Sequence, residues 1–249
     1  QFAWDATSPS SAEKCPRYYQ YKHIEGWQPR RKSVHLIFGG HFATALEHYY
    51  KYRALGDDLN TALEKVVEEA LVATWEGRER QGDMQYELLD TGHPWDSGDP
   101  IKTRETLIRS IVWYVDHFAE DPIKVILDAD GTPLVERSFT LPVDNDYVFS
   151  GHLDRVVEYS DSPYVMDQKT TKTTISSNYF KGYNPDIQMS MYTFAGRAIF
   201  HLPVKGVIID AVQIAVGFTR FERGFTFRQE AQLDEWYDDM IRLIEVTRG

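Results

Sequence analysis

The sequence has a single cysteine, Cys15. One thiol cannot form an internal disulfide, and it cannot complete a four-cysteine zinc or iron–sulfur site. No apolar run approaches the ~20 residues that a membrane-spanning helix needs. The first residues, Gln1-Phe2-Ala3-Trp4, lack the basic stretch followed by an apolar stretch of a secretory signal. A cytoplasmic protein with no membrane partner is therefore expected, bacterial or in the host of a phage. Positive charge is scarce as well: 27 Lys and Arg stand against 38 Asp and Glu, a formal net charge of -11. That balance argues at first against a polyanionic partner. The pattern G-x-x-x-x-G-K-[ST] is absent, so any helicase or annealing partner must be another chain.

What is present softens the charge objection. Lys14, Arg17, Lys22, Arg30, Arg31 and Lys32 are interleaved with Tyr18, Tyr19, Tyr21 and Trp27. A local basic and aromatic face neutralises phosphates and stacks bases while the molecule as a whole stays anionic. The chain is 249 residues long and 42% hydrophobic, enough to bury a substantial core, and a single domain over 1–249 is expected.

Hydrophobic periodicity predicts a mainly helical part over 1–122 and a sheet-bearing part over 123–249. Helices are expected from Ser8 toward Tyr21, from about Phe38 to Leu55, from Asp58 to about Arg80, and around Leu107–Phe118. A long loop is expected over Asp83–Pro100, where Gly and Pro recur. Strands are predicted near 125–127, 133–141, 147–159, 163–171 and 204–218, with helices over Ser177–Phe200 and around Leu233–Ile244. The fold class is α/β, a mixed central sheet flanked by helices.

The sharpest chemical feature is the pair of segments Gly151-His152-Leu153-Asp154 and Asp167-Gln168-Lys169 on adjacent predicted strands. Alternation along a strand turns Asp167 and Lys169 to one side and Gln168 to the other, and Asp154 can meet Asp167 across the pair. Two converging carboxylates repel unless a cation or proton lies between them, and such oxygen donors suit Mg²⁺ or Mn²⁺. A neighbouring lysine can orient water or stabilise charge growing on a phosphorus centre. Asp and Lys on an exposed strand are more often merely solvated, so the short pattern needs company.

That company is present. Cys15-Pro16-Arg17-Tyr18-Tyr19, Gly151-His152-Leu153-Asp154, Asp167-Gln168-Lys169 and Gln188-Met189-Ser190-Met191-Tyr192 follow one another in the order of the RecB-like members of the PD-(D/E)XK nuclease superfamily, which the chain resembles. The resemblance implies a restriction-endonuclease-like core and a Mg²⁺- or Mn²⁺-dependent deoxyribonuclease acting on a single strand or duplex end. An exonuclease of phage or bacterial recombination and repair is the expected type. It implies metal ligation by Asp154, Asp167 and the main-chain carbonyl of Gln168, with Lys169 as base or transition-state stabiliser. Gln188 and Tyr192, four apart on a helix, would steady a phosphate or the scissile strand. A noncatalytic nucleic-acid-binding scaffold that keeps the fold is the alternative.

The resemblance breaks at one place. Where such enzymes carry a metal-binding His four residues before a Glu, Phe38-Gly39-Gly40-His41-Phe42-Ala43-Thr44-Ala45-Leu46-Glu47 has Ala43. His41 lies roughly 200° away around a helix. Two readings stay open: the helix starts late and His41 faces the metal, or Glu47 supplies the ligand. Glu136 on the preceding strand and His152, two before Asp154, are further candidates. Arg17, Lys22, Arg30, Arg31 and Lys172 are expected to bind nucleic acid. Relatives with an iron–sulfur cluster use four cysteines, which this chain lacks, so Cys15 is expected to pack its helix.

Overall fold

The computed structural model of the protein describes residues 2–80 and 86–248. A short strand, β1 (Phe2–Trp4), precedes helix α1 (Ser8–Lys14). Pro16 holds Cys15 in an extended conformation (φ -168°) and stops α1; α2 (Pro16–Tyr19) then restarts with that proline in its first turn and runs on as a π-helical turn over Gln20–Ile24. The one helix expected here is thus two short pieces. Helix α3 (Val34–Ala54) is capped by Ser33, whose side chain accepts the His35 N–H at 3.3 Å. Asp58 caps α4 (Leu59–Ala73) through the Asn60 and Thr61 N–H groups at 2.9 and 3.0 Å.

The helix expected to reach Arg80 ends at Ala73. Strand β2 (Trp75–Arg80) follows and pairs antiparallel with β3 (Tyr86–Pro94), where a loop was expected. Residues 81–85 of that expected loop lie outside the described residues. Glu and Arg, good helix formers, conceal the strand; the decisive residue is Gly77, at φ 87°, beside a register shift. A Cβ on Gly77 would come within 2.8 Å of the Gly92 backbone, so two glycines let the strands approach. Helix α5 (Arg104–His117) completes this part.

Strands β4 (Lys124–Val125), β5 (Val135–Pro142), β6 (Tyr147–Tyr159), β7 (Ser162–Thr171), β8 (Gly206–Ile214) and β9 (Thr219–Phe227) join β1 in a seven-stranded sheet. The path runs β1-β6-β7-β8-β9, with β4 and β5 also on β6. Pairs β1–β6 and β7–β8 are parallel and the rest antiparallel, so the sheet is mixed as expected. Strand β9 was not anticipated, although its burial alternates like that of a half-covered edge.

The crossover from β7 to β8 carries α6 (Ser177–Lys181) and α7 (Ile187–Phe200) in place of one continuous helix. A cis Asn184–Pro185 bond separates them, and Asp186 caps α7 by accepting the Met189 N–H at 3.0 Å. Helix α8 (Glu230–Arg248) closes the chain. Apolar residues fill both faces of the sheet. Trp4, Phe149, Leu153, Met189 and Trp236 pack on one side; Phe38, Phe42, Leu46, Leu107 and Ile111 pack with Val212 and Ile214 on the other. Among the described residues no helix is long and apolar enough to cross a membrane.

Candidate active site

The site begins where two strands part. The β6–β7 ladder runs from Tyr159↔Ser162 to Arg155↔Met166 and stops. Beyond it, the Gln168 N–H donates at 2.8 Å to Oδ2 of Asp154, a side chain standing in for the missing main-chain partner. Strand β7 keeps its other edge paired to β8 through Thr171↔Gln213. The splay opens a cavity of about 640 Å³ lined by Asp154, Asp167, Lys169, Gln188 and Tyr192, with Gly39 and Ala43 of α3 opposite. The Gln168 side chain turns away and is fixed by Arg155 (3.1 Å) and the Asp210 carbonyl (2.7 Å).

Asp167 is 2% exposed. The Lys169 Nζ lies 2.6 Å from its Oδ2, close enough for an ion pair but poorly directed, so the buried Oδ2 has no hydrogen-bond donor of proper geometry. Burial pushes the Asp167 carboxyl up to about 6; Lys169 draws it down and Asp154 pushes it up again. Burial disfavours the Lys169 ammonium, but Asp167 and Asp154 outweigh that and raise its pKa. On β5, Val135 pairs with Arg155 and Arg137 with Leu153, and between them Glu136 stands opposite Asp154 with a left-handed backbone, φ 50°. Burial, then Asp154, then Glu47 push the Glu136 carboxyl up to about 7. A non-glycine residue held in that conformation costs on the order of 1 kcal/mol, a strain that clusters at functional sites.

The remaining expectations divide. The Gln188 Nε2 donates to the Tyr192 hydroxyl at 3.0 Å, both facing the cavity. Glu47 is paired with Lys51, and Ala43 one turn earlier lines the cavity. His41 is not brought to the site: α3 is continuous from Val34, which excludes the late start, and the His41 ring packs 5.7 Å from Trp95. His152 is exposed and bonded through Nδ1 to the Ser138 hydroxyl at 2.9 Å, away from the cavity lining. Lys172 lines the cavity, whereas Arg17, Lys22, Arg30 and Arg31 are exposed in the 17–31 segment and are not part of its lining. There Tyr21 and Trp27 stack at 5.0 Å, and the Lys22 ammonium lies 5.7 Å over Tyr18. A second hollow, lined by Lys14, Tyr18, Asp186 and Gln188, shares Gln188 with the first. Cys15 is exposed and does not pack its helix. Lys102, which sequence reasoning missed, lines the cavity although it is 4% exposed; a lone lysine in a Gly/Pro loop gives no signal.

Asp154, Asp167 and the Gln168 carbonyl are hard oxygen donors, and the buried Oδ2 of Asp167, ion-paired with Lys169 but without a well-directed hydrogen bond, has capacity left for a cation. Among the described residues no three His, Cys, Asp or Glu side chains form a cage. A cation such as Mg²⁺, which keeps waters and takes substrate phosphate oxygens, needs no such cage.

A sequence profile of the PD-(D/E)XK nuclease superfamily matches residues 4–248, so the chain belongs to that superfamily. Among solved structures, a protein of Eubacterium rectale described as a presumed exonuclease superposes over 98% of this chain and 81% of its own, with a TM-score of 0.54 and 11% identity. At that identity the likeness shows the fold alone. Another structure, SSO0001, covers 56% of this chain and 66% of its own at 14% identity, with a TM-score of 0.28 too low to carry weight. No curated protein matches.

Proposed function

We propose that the protein is a divalent-metal-dependent deoxyribonuclease, an exonuclease acting on DNA ends in phage or bacterial recombination and repair, with residues 1–249 as one catalytic domain. The observation that carries this reading is the β6–β7 splay, which gathers Asp154, Asp167 and Lys169 in the lining of one cavity. Mg²⁺ or Mn²⁺ held by Asp154, Asp167 and the Gln168 carbonyl would supply Lewis acidity at the scissile phosphate and lower the pKa of a bound water.

Lys169, kept cationic by its acidic neighbours, orients the attacking water and stabilises the charge that develops on the phosphate oxygens. Glu136, poised near neutrality beside Asp154, is suited to take up a proton. Gln188 and Tyr192 hold the strand against the cavity wall. The exposed Tyr21–Trp27 stack and its surrounding cations offer a sequence-tolerant platform for an unpaired strand. A helicase or annealing protein would act from a separate chain.

The decisive experiment is cleavage of end-labelled linear and circular DNA, single- and double-stranded, with Mg²⁺, Mn²⁺ or EDTA. Asp167→Asn and Lys169→Met should each lose about a hundredfold or more of kcat while remaining folded. Tight DNA binding without metal-dependent cleavage in any condition would instead identify a noncatalytic scaffold.

A further inference from the structure

The cavity that holds the acidic cluster also has a cationic wall. It is built by the start of α3, with His35 and Leu36, and by Lys102 in the loop before α5. Lys102 is 4% exposed, yet no carboxylate or carbonyl among the described residues accepts a hydrogen bond from its Nζ, which lies 4.6 Å from the Phe38 ring. Asp99, the acid that acts on it, already receives the Ile101 and Lys102 amide N–H groups on Oδ1, each at 2.8 Å. The Lys102 side chain is buried up to an ammonium that opens on the cavity, and an ammonium so little hydrated and without an anion against it is compensated only in part by the face of Phe38. Helix α3 is 21 residues long and has no acidic residue in its first turn, so its positive end is not neutralised within the helix. Exposed Lys172 lines the same cavity.

We propose that Lys102, the N-terminal turn of α3 and Lys172 form a phosphate subsite within the candidate active-site cavity. Its ligand is a phosphate group of the nucleic-acid strand other than the one being cleaved, a clause that rests on the nuclease reading. Two sources share this chemistry: the phosphate monoester at a strand end and an internal phosphodiester. Lys102 is a binding residue here; it does not touch the reacting phosphorus.

The test separates the subsite from the nuclease reading by working in EDTA, where no cleavage occurs. Inorganic phosphate should raise the Tm of the wild type and leave that of Lys102→Met unchanged. Short single strands ending in a 5′-phosphate, a 3′-phosphate or only hydroxyls are then titrated against both proteins by fluorescence anisotropy. Lys102→Met should bind about 10- to 100-fold more weakly, with a shallower salt dependence. A loss confined to phosphate-ended strands assigns the terminal group, and an equal loss in all assigns the internal one.

If Lys102→Met does not fold, acylation of Lys102 in the wild type, followed by mass spectrometry, should be slowed by phosphate. Equal affinity of wild type and variant for every strand, or an unprotected Lys102, overturns the proposal. Protection of Lys102 by phosphate in a protein that cleaves no DNA with Mg²⁺ or Mn²⁺ would sink the nuclease reading and leave the anion site standing.

Discussion

Asp167 and Glu136 sit where ionisation is unfavourable, and the metal-free protein should show it. Their folded-state pKa values, about 6 and about 7, lie above the ordinary 3.8 and 4.5. A carboxyl raised in this way contributes stability that is complete below its ordinary pKa and is lost as pH rises through the folded value. In EDTA the wild type should therefore lose stability between about pH 4 and pH 7 relative to an Asp167→Asn/Glu136→Gln protein. Urea denaturation across that range checks it; parallel curves for the two proteins would contradict the assignment. A cation bound here must displace those protons, so Mg²⁺ should raise Tm more at pH 7.5 than at pH 5.5. Among single residues, the grouping of Asp154, Asp167 and Lys169 was legible because strand alternation turns Asp167 and Lys169 to one side and the accompanying family-like motifs single out Asp154 on the neighbouring strand. Lys102 was not, because its burial comes from a loop folded over Phe38, which no local pattern announces.

At the scale of elements, the approach of α3 to β7 fixes the width of the cavity. A Cβ on Gly39 would lie 3.1 Å from the Thr170 Oγ1, so the helix rides directly on the strand that bears Asp167 and Lys169. Gly39→Val should push the two apart and lower kcat/KM about tenfold or more, with a stability loss of about 1–3 kcal/mol. Phe42, fully buried one turn along, should behave differently. Phe42→Ala should cost about 3–5 kcal/mol in urea denaturation, an effect of cavity formation on the whole fold. Comparing the two variants separates a spacer from a core residue. The sheet-bearing half was readable because its β-branched runs alternate with turn residues. The β2–β3 hairpin was hidden by helix-favouring Glu and Arg and depends on the Gly77–Gly92 contact, a pairing of residues distant in sequence. The split of the predicted Ser177–Phe200 helix arises at Pro185, with Asp186 restarting the chain as a cap. Helix α3 itself was readable, but the face carrying His41 was not: packing against Trp95 lies beyond what helical spacing reveals.

For the molecule as a whole, charge is unevenly placed. Between Lys14 and Lys32 the sequence has six cations and one acid, Glu25, while the net charge of the chain is -11. On the nuclease reading, this cation-rich segment is where the local charge favours a polyanion that the net charge of the chain does not. Replacing Arg30 and Arg31 by Ala, both exposed, should weaken binding to single strands and reduce the magnitude of the salt slope by about one. The fold should not change, as circular dichroism and Tm would verify. An unchanged slope would place the strand elsewhere. Composition alone argues against a polyanionic partner, because a sum over the chain cannot register where its terms lie.

Strand β6 has a defect in its ladder, and the defect has an experimental consequence for mutagenesis. At Asp154 one carboxylate does the work of a tie rod, clasping the Gln168 amide across the gap between the strands. Asp154→Ala would cut the tie and remove the proposed ligand together, so its inactivity could not be assigned to chemistry. Asp154→Asn keeps an oxygen able to clasp the amide while giving up the charge. The difference between the two variants measures how far the geometry of the gap depends on the same carboxylate that is proposed to hold the metal.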